Sequence, residues 1–215
     1  GPVTLALRAL KPSPTGGRGP RELLMTGLHS TLARFFTNPI TILVIYVLGL
    51  YGLYLTNVFG SLMSSHIGHI VMTTHFLVAG ILLAYVAIGI DPKPAPLPFW
   101  GRMMLVLAAI ILHTFFAVVM MSSTTLIGAT WYSQVRPPWL TDPVRDSMLG
   151  GQIAWGVGEI PTLIMMIIIA VQWARSDERE SKRRDRFTND HGDHELDDYN
   201  AYLNKLNELN QQAKK

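Results

Sequence analysis

Four apolar runs, at residues 39 to about 59, 67–90, 103 to about 128 and about 148–173, alternate with polar or breaker-rich segments. A bilayer crossing needs roughly 20 apolar residues, so each run predicts one transmembrane helix. Asn38-Pro39 supplies an N-cap and a first-turn proline for the first run. The second ends at Ile90-Asp91-Pro92, before a proline-rich stretch, 93–98, that cannot be helical. Upstream, Leu24, Leu28, Leu32 and Phe35 recur at helical spacing among polar residues, which predicts an interfacial helix over 21–36 lying on the membrane. Residues 11–17 read as a loop. Downstream, 175–186 reads as a solvated helix continuing the fourth span. Leu196, Tyr199, Leu203, Leu206 and Leu209 then form a weakly amphipathic end. The predicted fold is an all-α integral membrane bundle of four transmembrane helices. Its parts are a cytoplasmic segment 1–37, a transmembrane domain 38–173 and a cytoplasmic tail 174–215.

Charge changes this picture by giving it a direction. Of the 18 Lys and Arg, five lie in residues 1–37 and nine in the tail; the segments between spans carry none, two and two. The positive-inside rule puts both ends on the cytoplasmic side of a bacterial inner (plasma) membrane. Arg136 and Arg145 of the outer loop are matched by Asp142 and Asp146, and Trp131, Tyr132 and Trp139 read as an interfacial belt facing membrane lipids. The basic residues act as topology signals, so nucleic acid is not an expected partner. With no cysteine, disulfides, thiolate metal sites and Cys-based catalysis are excluded. The chain lacks an initiator Met and a signal-peptide pattern, so the expectation is that it begins inside a longer gene product, with further upstream helices, or that Gly1-Pro2 is a cloning remnant.

Candidate chemistry sits where it is most costly. His66, His69 and His75 open the second run, His113 is the one ionisable group of the third, and Glu159 the one acid of the fourth. Polar groups inside a crossing mark function by default. At about 1.5 Å per residue, His75 lies roughly 12 Å down, and His113 and Glu159 roughly 16 Å. Three groups from three helices share one depth, and a common constellation is the economical way to bury them. His66 and His69, three apart, can share a helix face at the outer mouth. Met63, Met72, Met120, Met121 and Met148 are candidate thioether ligands toward the same level. Gly156, Gly158 and Pro161 surround Glu159, and Gly49 and Gly52 punctuate the first span. Small residues admit close neighbours, and the proline frees a carbonyl. His191 and His194, in a polar stretch, read as solvated.

Imidazole and thioether without thiolate suit copper, Cu(I) above all, while imidazole alone also suits zinc or haem iron. No HExxH, nucleophile elbow or phosphate loop is present, so an enzyme is not expected. Three other readings stay open: a b-type cytochrome with His75 and His113 as axial ligands, a proton or metal carrier using Glu159 and the histidines, and a purely structural subunit that braces a membrane partner.

Several stretches in order carry a family resemblance: residues 2–10, Thr74-His75-Phe76, Gly89-Ile90-Asp91-Pro92, Gly158-Glu159-Ile160-Pro161, residues 172–180 and Asp198-Tyr199-Asn200-Ala201-Tyr202-Leu203. Together they resemble the polytopic bacterial cytochrome c oxidase assembly family called CtaG, over the C-terminal part of its membrane domain. The resemblance implies a non-enzymatic role in maturing a haem–copper oxidase by handling copper, with the oxidase subunits as partners. It supplies no ligand assignment. The set His66, His69, His75, His113 and Glu159 rests on depth and chemistry alone.

Overall fold

The structure is a computed structural model that describes residues 1–13, 17, 19–191 and 194–212. The chain is all-α. It divides into two compact units, 1–170 and 171–215. Part of the predicted 11–17 loop, and the side chains of His191 and His194, lie outside the described residues.

Among the described residues, three helices are long and apolar enough to cross a membrane: α6 (His66–Ile88), α7 (Phe99–Ser122) and part of α9 (Pro143–His191). The predicted first crossing is shorter than expected. Helix α4 (Pro39–Val47) runs on as a π-helical turn, Leu48–Gly52, and the chain then turns at 55–57 before α5 (Val58–Met63). At about 1.5 Å per residue, α4 and its π turn reach about 21 Å, short of the roughly 30 Å hydrocarbon core. The Thr56 hydroxyl causes the stop, donating to Gly52 O at 2.6 Å and accepting from Val58 N at 3.2 Å. The expected turn at 60–65 is helical as far as Met63. The predicted interfacial helix is two pieces, α2 (Pro20–Leu28) and α3 (Thr31–Phe36), because the Ser30 hydroxyl caps a new start by accepting from Ala33 N. The cap expected at Asn38 is present, accepting from Ile40 N and Thr41 N.

Helices α4, α6, α7 and α9 meet through Ile42, Leu83, Val86, Leu105 and Ala109, and through Ala87, Val106 and Ile169. Ala79, Ala87, Ala109 and Ala117 are among the most buried residues. In lipid the gain comes from close van der Waals contact, and small side chains let backbones approach. Ile81, Phe115, Ile153 and Ile167 point outward, as lipid-facing residues do. The solvated character expected for 175–186 appears as exposed i,i+4 pairs, Lys182–Glu178 and Arg184–Glu180. Each is worth only a few tenths of a kcal/mol.

The end of α6 shows how the proline-rich segment is accommodated. Prolines offer no N–H to the last helical carbonyls. Cations take that place. Lys93 Nζ donates to Val86 O and Tyr85 O, and Arg102 Nη1 to Ile88 O. Gly89 at φ 69° closes the helix in the left-handed region, and its missing Cβ makes room for the Arg102 guanidinium. Burial, then the Arg102 charge, pulls the Lys93 ammonium down to about 8. The sign follows: the charged form is disfavoured in the fold, so stability rises as pH climbs from about 8 toward the ordinary lysine value of about 10.4. At pH 8 an amine-directed acetylating reagent is expected to modify Lys93 well ahead of Lys182 and Lys205, scored by peptide mass spectrometry. Equal labelling of all three would contradict the shift.

Asp91, buried, reaches across to α1 (Pro2–Ala9) and accepts from Thr4 N at 2.8 Å and Thr4 Oγ1 at 2.7 Å. A carboxylate 87 residues away thus caps the third amide of that helix. Asp91→Ala is expected to cost α1 about 1 kcal/mol, read as faster amide exchange over residues 2–9 with α7 unchanged.

Candidate functional site

Helix α9 starts at Pro143, one turn before its predicted beginning. Asp142 makes that start possible by accepting from Val144 N at 3.1 Å and Arg145 N at 3.0 Å. It is therefore a helix cap rather than a counter-charge to the loop arginines. Arg136 turns to the carbonyls of Leu140 and Thr141. The earlier start puts Pro143, Asp146, Ser147, Gly150, Gly151 and Ala154 on one helical face, at spacings of three and four. On α7 the facing positions are His113, Phe116, Ala117 and Met120. These two faces, with Tyr54, Leu126, Tyr132 and Leu140, enclose a cavity of about 240 Å³. An imidazole, a thioether and a carboxylate share its walls.

Glu159 stands behind His113. Its Oε1 accepts from Thr114 Oγ1 at 2.9 Å and from Trp155 Nε1 at 3.0 Å. The His113 ring lies so close to Gly158 that a Cβ there would collide with its Cε1. Glu159 is also near enough to interact electrostatically with His113 and Tyr46. Pro161 stays within the helix, and the Thr162 hydroxyl covers the carbonyls of Gly158 and Glu159 at 3.3 and 2.8 Å.

His75 goes elsewhere. Its ring rests on Gly49 in the π turn, where a Cβ would stand 2.6 Å from Nε2, and that nitrogen is buried without a hydrogen-bond partner. π-Turns recur at functional sites, and an unpaired buried polar atom costs about 1–3 kcal/mol. His66 and His69 are exposed in the first turn of α6. Gly68, between them in the chain, lies tight against the Leu62 backbone. Among the thioethers, Met120 and Met121 lie against Gly151, while Met63, Met72 and Met148 are half-buried. Among the described residues, no three His, Asp or Glu side chains gather closely enough to hold a metal ion. Of the three deep groups, His113 and Glu159 therefore become neighbours, and His75 has contacts of its own.

The sequence reading missed Asp146, Thr114 and Trp155. The signal for Asp146 was available: Asp142-Pro143 is a cap followed by a first-turn proline, and from there the face can be counted forward.

The profile of the family described as cytochrome c oxidase caa3 assembly factor matches residues 1–176. An uncharacterized protein of Mycobacterium bovis is 42% identical over 212 residues, covering 97% of this chain and 32% of the relative. One from Mycobacterium tuberculosis gives the same figures, and one from Mycobacterium leprae is 39% identical over 211 residues with the same coverage. The chain thus spans about a third of the length of these curated relatives. No solved structure matches it.

Proposed function

The chain belongs to the cytochrome c oxidase caa3 assembly factor family, and from that premise we propose that it handles copper during maturation of a haem–copper oxidase. The carrying observation is the cavity whose walls hold His113 and Met120 on the α7 face and Asp146 on the α9 face. Cu(I) takes imidazole and thioether readily. A carboxylate at the mouth attracts a cation, and a second carboxylate, Glu159, sits behind the imidazole to offset the charge in a medium of low dielectric. Copper is cargo here, so a site with few ligands serves: it has to release the ion as well as hold it.

The exposed pair His66 and His69, with Met63 nearby in the chain, captures Cu(I) at the outer mouth. The ion then moves to His113 and leaves sideways to an oxidase subunit. This reading places the chain in a bacterial plasma membrane with both termini cytoplasmic, in keeping with the segregated basic residues; that parity needs the first apolar run to cross as well, its helix and π turn bringing Tyr54 up to Phe116 of α7. A haem reading fits less well. His75 and His113 rest on glycines of different helices, and a 240 Å³ cavity lies below the roughly 300–1,000 Å³ of ligand-sized clefts. A purely bracing subunit is the second reading, favoured by the separation of His75 from the His113 cavity. Elemental analysis of the purified protein with its co-purifying oxidase subunits decides between them. Copper bound in proportion to protein supports the proposal; stoichiometric association without metal supports the brace.

A further inference from the structure

At the same end of the bundle lies a second space, of about 600 Å³, with Thr56, Asn57, Ser122, Ser123, Thr125 and Thr130 in its walls and no charged side chain among its lining. It shares two wall residues with the His113 cavity, Tyr54 and Leu126. We propose that this hydroxyl-lined chamber is the antechamber through which a small hydrated cation reaches the His113 cavity, with the Tyr54 ring as the partition between them. The inference deepens the copper reading, on which it relies for the identity of the cargo. The route itself stands on the geometry of the two spaces.

The order of groups along the route suits a cation losing its water. Neutral hydroxyl and amide oxygens replace hydration first, at little electrostatic cost. Beyond the partition, the carboxylate of Asp146, the thioether of Met120 and the imidazole of His113 take over. The partition is aromatic, and an aromatic face tolerates a passing cation. Tyr54 stacks on Phe59 with centroids 5.0 Å apart and leans on Phe116 at 5.4 Å and Phe76 at 6.2 Å. Phe59 is backed in turn by Gly128, whose φ of 72° and absent Cβ, which would sit 2.6 Å from the Phe59 ring, both call for glycine. Tyr54 also ends the helical run after the π turn, next to the 55–57 turn. Its backbone therefore lacks the continuous ladder that fixes residues in mid-helix. The ring is held by neighbours and can swing only with them.

The chain has no cysteine, so a single introduced thiol reports access without background. Ala117, 2% exposed and lining the His113 cavity, is the reporter position. In copper-free native membranes containing the full-length protein, Ala117→Cys is exposed to 2-(trimethylammonium)ethyl methanethiosulfonate and the labelling rate is read by mass shift. Tyr54→Ala is expected to raise that rate about tenfold, and Thr130→Trp, which fills the antechamber, to return it to the Tyr54-intact value. Val118→Cys, on an outward-facing position, should stay slow throughout. The inference is overturned if Tyr54→Ala leaves the rate unchanged, or if Thr130→Trp does not slow the Tyr54→Ala protein. Either result would route access past Asp146 instead. Should Tyr54→Ala not accumulate, Tyr54→Leu with the same Ala117→Cys reporter gives the same test. Copper takes no part in the labelling, so the route and the copper reading can each fail without the other.

Discussion

Changing His113 to alanine is expected to lower Cu(I) affinity at least about 100-fold, since even outer-shell changes cost 10–100-fold at metal sites. Competition against a chromogenic Cu(I) chelator measures it. In cells, the oxidase made beside the variant should carry its haem but lack copper and turn over poorly. His75→Ala is the informative control. That ring lies on Gly49 outside the cavity, so its removal should leave Cu(I) affinity within a few-fold of the parent. Loss of the unpaired Nε2 also removes a buried polar atom that stabilises nothing. Oxidase with full copper content in His113→Ala cells would end the proposed route. An equal defect from both histidines would mean the cargo site is not the His113 cavity.

The second large effect is steric. Gly158→Val puts a branched side chain into the space the His113 ring occupies. Either the ring leaves the cavity or α7 and α9 separate, and such overpacking costs typically 1–3 kcal/mol. Both melting temperature in detergent and Cu(I) affinity should fall. Gly156, two residues earlier, has nothing within 4 Å of its would-be Cβ. Gly156→Ala should therefore be neutral or stabilising by up to about 1 kcal/mol, the cost of glycine in a helix interior. If the two substitutions behave alike, the His113 ring does not pack on Gly158.

That glycine pair shows where a linear reading stops. Gly156 and Gly158 look equivalent in Gly-Val-Gly-Glu, as do Gly49 and Gly52 in the first span. Only the rotation of each helix toward its neighbour assigns one of each pair to a histidine. The same holds for depth. His75, His113 and Glu159 were placed near one level by counting residues, yet level fixes only one coordinate of three. Around the bundle, His113 and Glu159 become neighbours while His75 meets the π turn. Hydropathy alone starts the helix after Asp146 and leaves that residue a surface counter-charge; with Asp142 as the cap, it falls on the cavity face.

The sequence by itself determined the all-α membrane class, three of the crossings, the cap at Asn38, and the residue types available for chemistry. It could do so because hydrophobic length, proline and capping chemistry act within a few residues of the chain. The partnering of those residues was decided by tertiary structure: Asp91 on the α1 amide, Thr114 on Glu159, and Asp146 in one cavity with His113 and Met120. Those contacts join segments tens of residues apart, and they depend on how each helix is turned about its own axis. That angle is set by which small residues let two backbones come close.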